Sequence, residues 1–367
     1  MKKPPDAPRP AAPGRARLFG SPDARDLHAR FPAIDLHADS LMWSRWVSYD
    51  LHARHDPPLP FAALGGHVDV PRLLEGGIGA QFFGLVSLPI GQRSGLASVI
   101  HEQIDELDRA VHQDPSRLVK VRTAEEIEAA AARGAVAALL GIEGAHALEG
   151  DLENLDHFAR RGVRYLGLSH FSANEAAYPA AGRGRDPSKG LTPFGRAIVE
   201  RCEKLGVIVD LAHINRRGLL EACQMATRPP IVSHTGVLGA FKHWRNIGDD
   251  ALRAVAEKGG CVGVIFCPKF LGGDGLGPVV KHLKHILDVC GEDAPALGSD
   301  WDGFIIPTAD LCDAAHLPLL TDALLEAGLP ERTIAKILRG NAMRVLRDTA
   351  PPESGSGALS LYKNPNE

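Results

Sequence analysis

The segment "TPFGRAIVERCEKLGVIVDLAH", residues 192 to 213, reads as one helix followed by one buried strand. Thr192 is an N-cap residue, Pro193 suits the first helical turn, and Gly206 is a natural stop. Phe194, Ala197, Ile198, Cys202 and Leu205 recur at helical spacing on one face. After Gly206 the pattern becomes a short β-branched run, Val207 to Val209, and the segment finishes in His213.

Working outward, the same alternation fills the chain. Strand-like runs occur at "FPAIDLH" (31 to 37), "GIGAQFFGLV" (77 to 86), "GAVAALLGIE" (134 to 143) and "GVRYLGLSH" (162 to 170). After the 206 to 213 run come "PPIVSH" (229 to 234), "GGCVGVIF" (259 to 266) and "APALGSD" (294 to 300). Segments of helical periodicity separate them. "GDDALRAVAEKGG" has acidic residues in its first turn, Lys258 near its end and Gly259 to stop it, and residues 316 to 348 supply two or three further helices.

Eight strands with helical crossovers fit a closed (β/α)8 TIM-type barrel or a doubly wound open sheet. The strand ends decide between them. His37, Glu143, His170, His213 and His234 close five of the runs and Asp300 a sixth. A barrel gathers such residues at one mouth, whereas an open sheet spreads them out. The reading is therefore one α/β barrel domain over residues 21 to 349, with flexible arms at 1 to 20 and 350 to 367, both rich in Pro, Gly, Ser or Ala.

Composition narrows the function classes. With 367 residues, 44% hydrophobic and 23% charged, the chain has enough apolar residues for a sizeable core. The net charge is -4 and the basic residues are scattered, which argues against nucleic acid or an anionic membrane as partner and for a small molecule. No run approaches the length of a membrane span, and the first residues lack an apolar signal region. Six cysteines without a C-x-x-C pair are expected to be reduced core residues in a cytoplasmic protein. A homodimer is compatible with the sequence, which does not fix the oligomeric state.

The fragment "DLHADS" (35 to 40) sets His37 and Asp39 two positions apart, where a strand points both to the same side. By itself the pair is a weak metal signal, since H-x-D is common. With Glu143, His213 and His234 at the same mouth, three imidazoles and two carboxylates can hold two ions that share a carboxylate and a water. The bland alternatives are a salt bridge for Glu143 and hydrogen-bonded core histidines for His213 and His234.

These blocks, with "GGIGAQFF", "GIEGAHAL", "RYLGLSHFSAN", "PPIVSHTG", "RNIGDD", "GSDWDG" and "GNAMRVLR", resemble the membrane (renal) dipeptidase family of binuclear zinc dipeptidases, from about residue 31 to 348. The resemblance implies a metal-dependent hydrolase fold with two Zn2+ ions per chain. It implies that His37 and Asp39 ligate one zinc, His213 and His234 the other, and that Glu143 bridges them. By the same resemblance His170 binds substrate near the scissile carbonyl, Arg245 holds its free carboxylate, and Asp300 handles the proton. Ala38, where many relatives carry Asn, and "SHTG", in place of a serine-rich version, bear on substrate preference more than on metal binding.

The residue types suit that chemistry. A water between two divalent ions is acidified into a nucleophile at neutral pH, and charge developing on the carbonyl oxygen needs a partner such as His170. The expected activity is hydrolysis of dipeptides, with tolerance of a C-terminal D-residue implied by the resemblance. The nearest alternative is an amidohydrolase acting on N-acyl amino acids, lactams or lactones. A glycosidase built on Glu143 and Asp300 leaves the histidines without a role, and an inactive binding protein leaves the full donor set without one.

Further expectations concern surroundings. Asp35 shares the parity of His37 and is a candidate to orient it, whereas Asp210, three before His213, is expected to face away. Asp302 shares the parity of Asp300 or begins the next loop. Without the resemblance, Arg245 is expected to be solvated or to pair with Asp249 or Asp250. Two long loops, 40 to 65 with Trp43, Trp46 and Tyr49, and 171 to 190, are expected to shape the pocket or to pack against the barrel.

Overall fold

The computed structural model describes residues 19–55, 63–88 and 94–350. Among these described residues there are nine parallel strands: β1 (Ala33–Ala38), β2 (Ile78–Val86), β3 (Leu118–Lys120), β4 (Val136–Glu143), β5 (Val163–Gly167), β6 (Ile208–Asp210), β7 (Ile231–Thr235), β8 (Cys261–Val264) and β9 (Pro295–Leu297). Eight of them run in the order β2-β1-β9-β8-β7-β6-β5-β4, and β2 pairs β4 from Ala80↔Ala137 to Val86↔Glu143 to close the ring. This is the closed barrel expected from the alternation.

β3 was not expected. It pairs with residues 136 to 138 of β4, on the edge that β5 takes over from Leu140, so it borders the barrel without joining it. Its three residues give too little periodicity to read.

The helical part of the segment 192 to 213 behaves as read, while the strand after it is shorter than the expected 206 to 213, covering Ile208–Asp210. The Thr192 hydroxyl accepts the Gly195 N–H at 3.0 Å, Pro193 opens the helix Pro193–Leu205, and Gly206 ends it at φ 68°. Ile198, Val199 and Cys202 are buried, with Phe194 and Leu205 packed on the same core at its margin. Burying such a stripe stabilises by roughly 1.5–3 kcal/mol per large side chain, an upper range because the unfolded chain already hides some area.

Two expectations are corrected. The stretch from 40 begins as a helix, Ser40–Val47, because the loop signals lie further on, and residues 56–62 of the expected loop lie outside those described. Its aromatics mostly pack: Trp43 and Tyr49 are buried, and only Trp46 reaches the surface. All six cysteines are free, but only Cys202, Cys223, Cys261 and Cys267 are core residues; Cys290 is half-buried and Cys312 exposed. The segment 171 to 190 does lack regular elements and is tied down by bridges Ser172↔Arg183 and Pro179↔Ile214. The expected arms fall outside the described residues except for Phe19, Gly20 and Ala350. Among the described residues no helix is long and apolar enough to cross a membrane.

Candidate metal centre at the barrel mouth

The residues singled out for chemistry lie at or just beyond the C-terminal ends of the barrel strands, except Arg245, which lies in the loop after β7. His37 and His234 lie within β1 and β7, and Glu143 is the last residue of β4. Asp39 directly follows β1, while His170, His213 and Asp300 each stand three residues beyond β5, β6 and β9. His213 and Asp300 have left-handed backbones, φ 64° and 61°, which turn the chain sharply over the mouth. Non-glycine residues adopt that conformation at a cost that surrounding structure must offset.

The donors converge. His37 Nε2 lies 3.3 Å from Asp39 Oδ1 and 3.8 Å from both Glu143 Oε1 and Asp300 Oδ1. On the other side, His213 Nε2 is 2.8 Å from Glu143 Oε1 and 2.8 Å from His234 Nε2, which is itself 3.4 Å from the same oxygen. His170 Nε2 lies 3.4 Å from Glu143 Oε2. Three overlapping groups, His37·Glu143·His234, Glu143·His170·His213 and His37·Asp39·Asp300, each bring their donor atoms within 4.8 Å of one another.

Charge and burial explain why this arrangement calls for cations. His37 Nε2 and Asp39 Oδ1 are buried polar atoms with no hydrogen-bond partner, which costs free energy unless an ion takes up their lone pairs. Burial lowers the His37 pKa, yet Asp39, Glu143 and Asp300 together outweigh it and raise it, so the pocket around this ring is negative enough to favour a cation beside it. Burial, then the Asp39 charge, raises Glu143 well above the usual carboxylate range. Burial drives His170, His213 and His234 well below the usual histidine value, leaving neutral imidazoles with lone pairs to donate. Donors around one tetrahedral ion stand about 3.3 Å apart for bonds near 2.0 Å, and the distances here bracket that value. The residues fit a metal centre.

Supporting contacts came largely from residues the sequence did not single out. The Tyr165 hydroxyl lies 2.6 Å from His37 Nδ1. Asp35 does not touch the His37 ring; it accepts the Ser299 N–H and hydroxyl at 2.8 and 2.6 Å, and that hydroxyl lies 2.9 Å from the His37 carbonyl. Asp210 is corrected: it faces the site's own network, accepting the Ser233 N–H and hydroxyl at 2.8 and 2.7 Å, and Ser233 Oγ is 3.0 Å from His234 Nδ1. The parity argument failed there because β6 ends at Asp210 and the chain then turns. Asp302, in the loop after β9, ties down the segments that follow β1, accepting from the His67 N–H and the Ser40 hydroxyl.

Arg245 is 3% exposed, and among the described residues no carboxylate lies within ion-pair distance of it. Asp249 is engaged by His285 and Asp250 by Arg216. The Arg245 Nη2 donates to the His234 carbonyl at 2.8 Å and Nη1 to the Thr235 hydroxyl oxygen at 3.5 Å, and the residue lines a cavity at the mouth. That cavity, about 230 Å³, is bounded by Asp39, Glu143, His170, His213, Arg245 and Asp300, with apolar side chains making up the rest. A similar cavity, about 260 Å³, opens beside His28 and Gly77 at the N-terminal strand ends, where barrel chemistry does not gather.

Comparison with known proteins agrees with this geometry. A dipeptidase, tcpJ, from Claviceps purpurea (strain 20.1) is 32% identical over 302 residues, 79% of this chain and 71% of the relative. A metallopeptidase from Rhodobacter sphaeroides, solved with a phosphinate mimic of the dipeptide L-Ala-D-Ala, superposes with a TM-score of 0.77 at 27% identity, covering 87% of this chain and 99% of that one. The probable dipeptidase PvdM from Pseudomonas aeruginosa shares the fold, with a TM-score of 0.80 at 19% identity over 89% of this chain and 97% of its own. The family model for membrane dipeptidase, peptidase family M19, matches residues 22–355, and the chain belongs to that family of metallo-dipeptidases.

Proposed function

We propose that this protein is a binuclear zinc dipeptidase that cleaves the peptide bond of dipeptides with a free C-terminus, including those ending in a D-residue. His37 and Asp39 would hold one ion and His213 and His234 the other, with Glu143 reaching both. When bound, such ions acidify water and polarise a carbonyl. The observation that carries the reading is the pair of buried atoms without a hydrogen-bond partner, His37 Nε2 and Asp39 Oδ1, beside a cavity that Asp39 lines together with a buried guanidinium lacking a carboxylate partner.

The remaining roles belong to the chain itself. Arg245 is suited to grip the substrate carboxylate bidentately, which restricts the enzyme to short substrates. His170, kept neutral by burial, can donate a hydrogen bond to the carbonyl oxygen as negative charge develops there. Burial raises the Asp300 carboxyl above the usual carboxylate range, Asp39 adding to the rise against the pull of His37. Asp300 lines the cavity beside the metal-ligand candidates, where its carboxylate can take the proton of the attacking water and return it to the leaving amine.

All eight of these residues lie on one chain, so the proposed chemistry needs no partner subunit. Free thiols fit a reducing compartment, and we place the protein in the cytoplasm. The test is elemental analysis of the purified protein coupled to a substrate screen. Near two equivalents of zinc and hydrolysis of dipeptides are expected; turnover of N-acyl amino acids but of no dipeptide would overturn the assignment.

A further inference from the structure

Phe304 is poorly placed for a residue that serves only the fold. Its backbone is left-handed, φ 57°, and its side chain is 45% exposed although it is large and apolar. It is nevertheless held firmly, with ring centroids 5.3 Å from Trp43 and 5.8 Å from Trp46. Trp43 in turn donates its Nε1–H to the Asp302 carbonyl at 2.8 Å, pinning the loop that carries Phe304. Strain and apolar exposure combined, on the wall of the reactive cavity, mark a residue kept for contact with a ligand.

Topology fixes which part of a ligand meets it. In the eight-membered ring β2 and β7 stand four strands apart, so Val86, at the end of β2, lies across the mouth from the loop after β7 that carries Arg245. A dipeptide with its carboxylate on Arg245 and its peptide carbonyl over Glu143 directs its first residue toward β2 and the adjoining β1. There the cavity wall is formed by Met42, Val86 and Leu88, with Phe304 and Ile305 completing it from the loop after β9. None of the five carries a charge. The carboxylates beneath, Asp39 and Asp300, are drawn toward His37. Placing an ionised side chain among these apolar groups is costly unless it finds a partner.

We infer that Met42, Val86, Leu88, Phe304 and Ile305 form an apolar subsite for the N-terminal side chain, and that the enzyme prefers dipeptides beginning with a bulky uncharged residue. The inference rests on the dipeptidase reading and specifies its substrate class.

The experiment compares kcat/KM of the metal-loaded full chain on Leu-Ala, Phe-Ala, Gly-Ala, Asp-Ala and Lys-Ala. Leu-Ala and Phe-Ala are expected to exceed Asp-Ala and Lys-Ala by about tenfold or more. Phe304→Ala and Phe304→Gly are expected to lower the Leu-Ala to Gly-Ala ratio about fivefold, and the glycine variant also relieves the left-handed backbone, so folding is retained. A flat or charge-favouring profile, or a ratio unmoved in both variants, overturns the subsite while leaving the dipeptidase reading intact. Absence of turnover on all five, with metal bound, rejects that reading and the subsite with it.

Discussion

Tyr165 and His37 meet across the barrel interior, hydroxyl to Nδ1 at 2.6 Å, so that the other ring nitrogen of His37 is the one turned toward Asp39 and Glu143. With Nε2 kept as a lone pair, Nδ1–H donates to the phenol oxygen, the usual way a metal-binding imidazole is oriented. Burial raises the Tyr165 hydroxyl well above its ordinary pKa, so it stays protonated. Tyr165→Phe is expected to weaken metal binding by about 10–100-fold in chelator competition, with kcat largely recovered at saturating metal. Unchanged metal affinity would show that His37 is held by other means.

Asp35 and Asp210 use the same device twice. Each takes the N–H and hydroxyl of a serine on a neighbouring segment, Ser299 and Ser233, and each serine immediately precedes a site residue, Asp300 and His234. Removing either hydroxyl leaves a buried carboxylate short of a donor. Ser299→Ala and Ser233→Ala should each cost about 1–3 kcal/mol in chemical denaturation and lower kcat/KM. A variant with an unshifted midpoint and full activity would remove that clamp from the account.

The unpaired guanidinium of Arg245 makes a paired experiment possible. Losing one partner of a buried charge pair costs about 2–5 kcal/mol, so Arg245→Ala should reduce kcat/KM on a free dipeptide by roughly 30-fold or more. Capping the substrate as its C-terminal amide should cost the wild type a comparable factor and the variant little further. Equal losses from amidation in both proteins would show that Arg245 does not bind the carboxylate.

His28 supplies a pH dependence of stability remote from the mouth. Burial lowers its pKa to about 4, although its Nδ1 is 3.3 Å from the Gly77 carbonyl and its Nε2 2.8 Å from the Thr321 hydroxyl. Between pH 6.5 and 4 the unfolded chain binds a proton that the folded chain refuses, so stability falls as pH falls through that window. The loss should reach about 3 kcal/mol at its lower end. Urea unfolding at pH 7.5 and 4.5 should show a smaller difference in His28→Gln than in wild type.

The sequence carried the barrel well because glycine stops separate helix from strand, as at Gly206, and because the strand ends bear ionisable groups that only closure gathers. It carried the supporting contacts poorly. Tyr165 in "VRYLG" looks like any buried aromatic, since nothing in the run tells that its hydroxyl reaches another strand. Period-two reasoning misplaced Asp210 because β6 is only three residues long and the chain reaches His213 through a turn. The helix Ser40–Val47 was hidden by two tryptophans and a valine, residues with modest helix preference, whose packing against the barrel overrides propensity.

The sheet order leaves β3 as its terminal strand, and that has a bearing on aggregation. Ring closure removes the open edges through which sheets of different molecules stack. What β3 adds back is three residues long and carries Lys120, whose ammonium is held 2.6 Å from Asp108. Short length and a charged residue are the features that keep a strand from recruiting a neighbour's, so concentrated solutions of this protein should resist fibril formation for as long as the barrel stays shut.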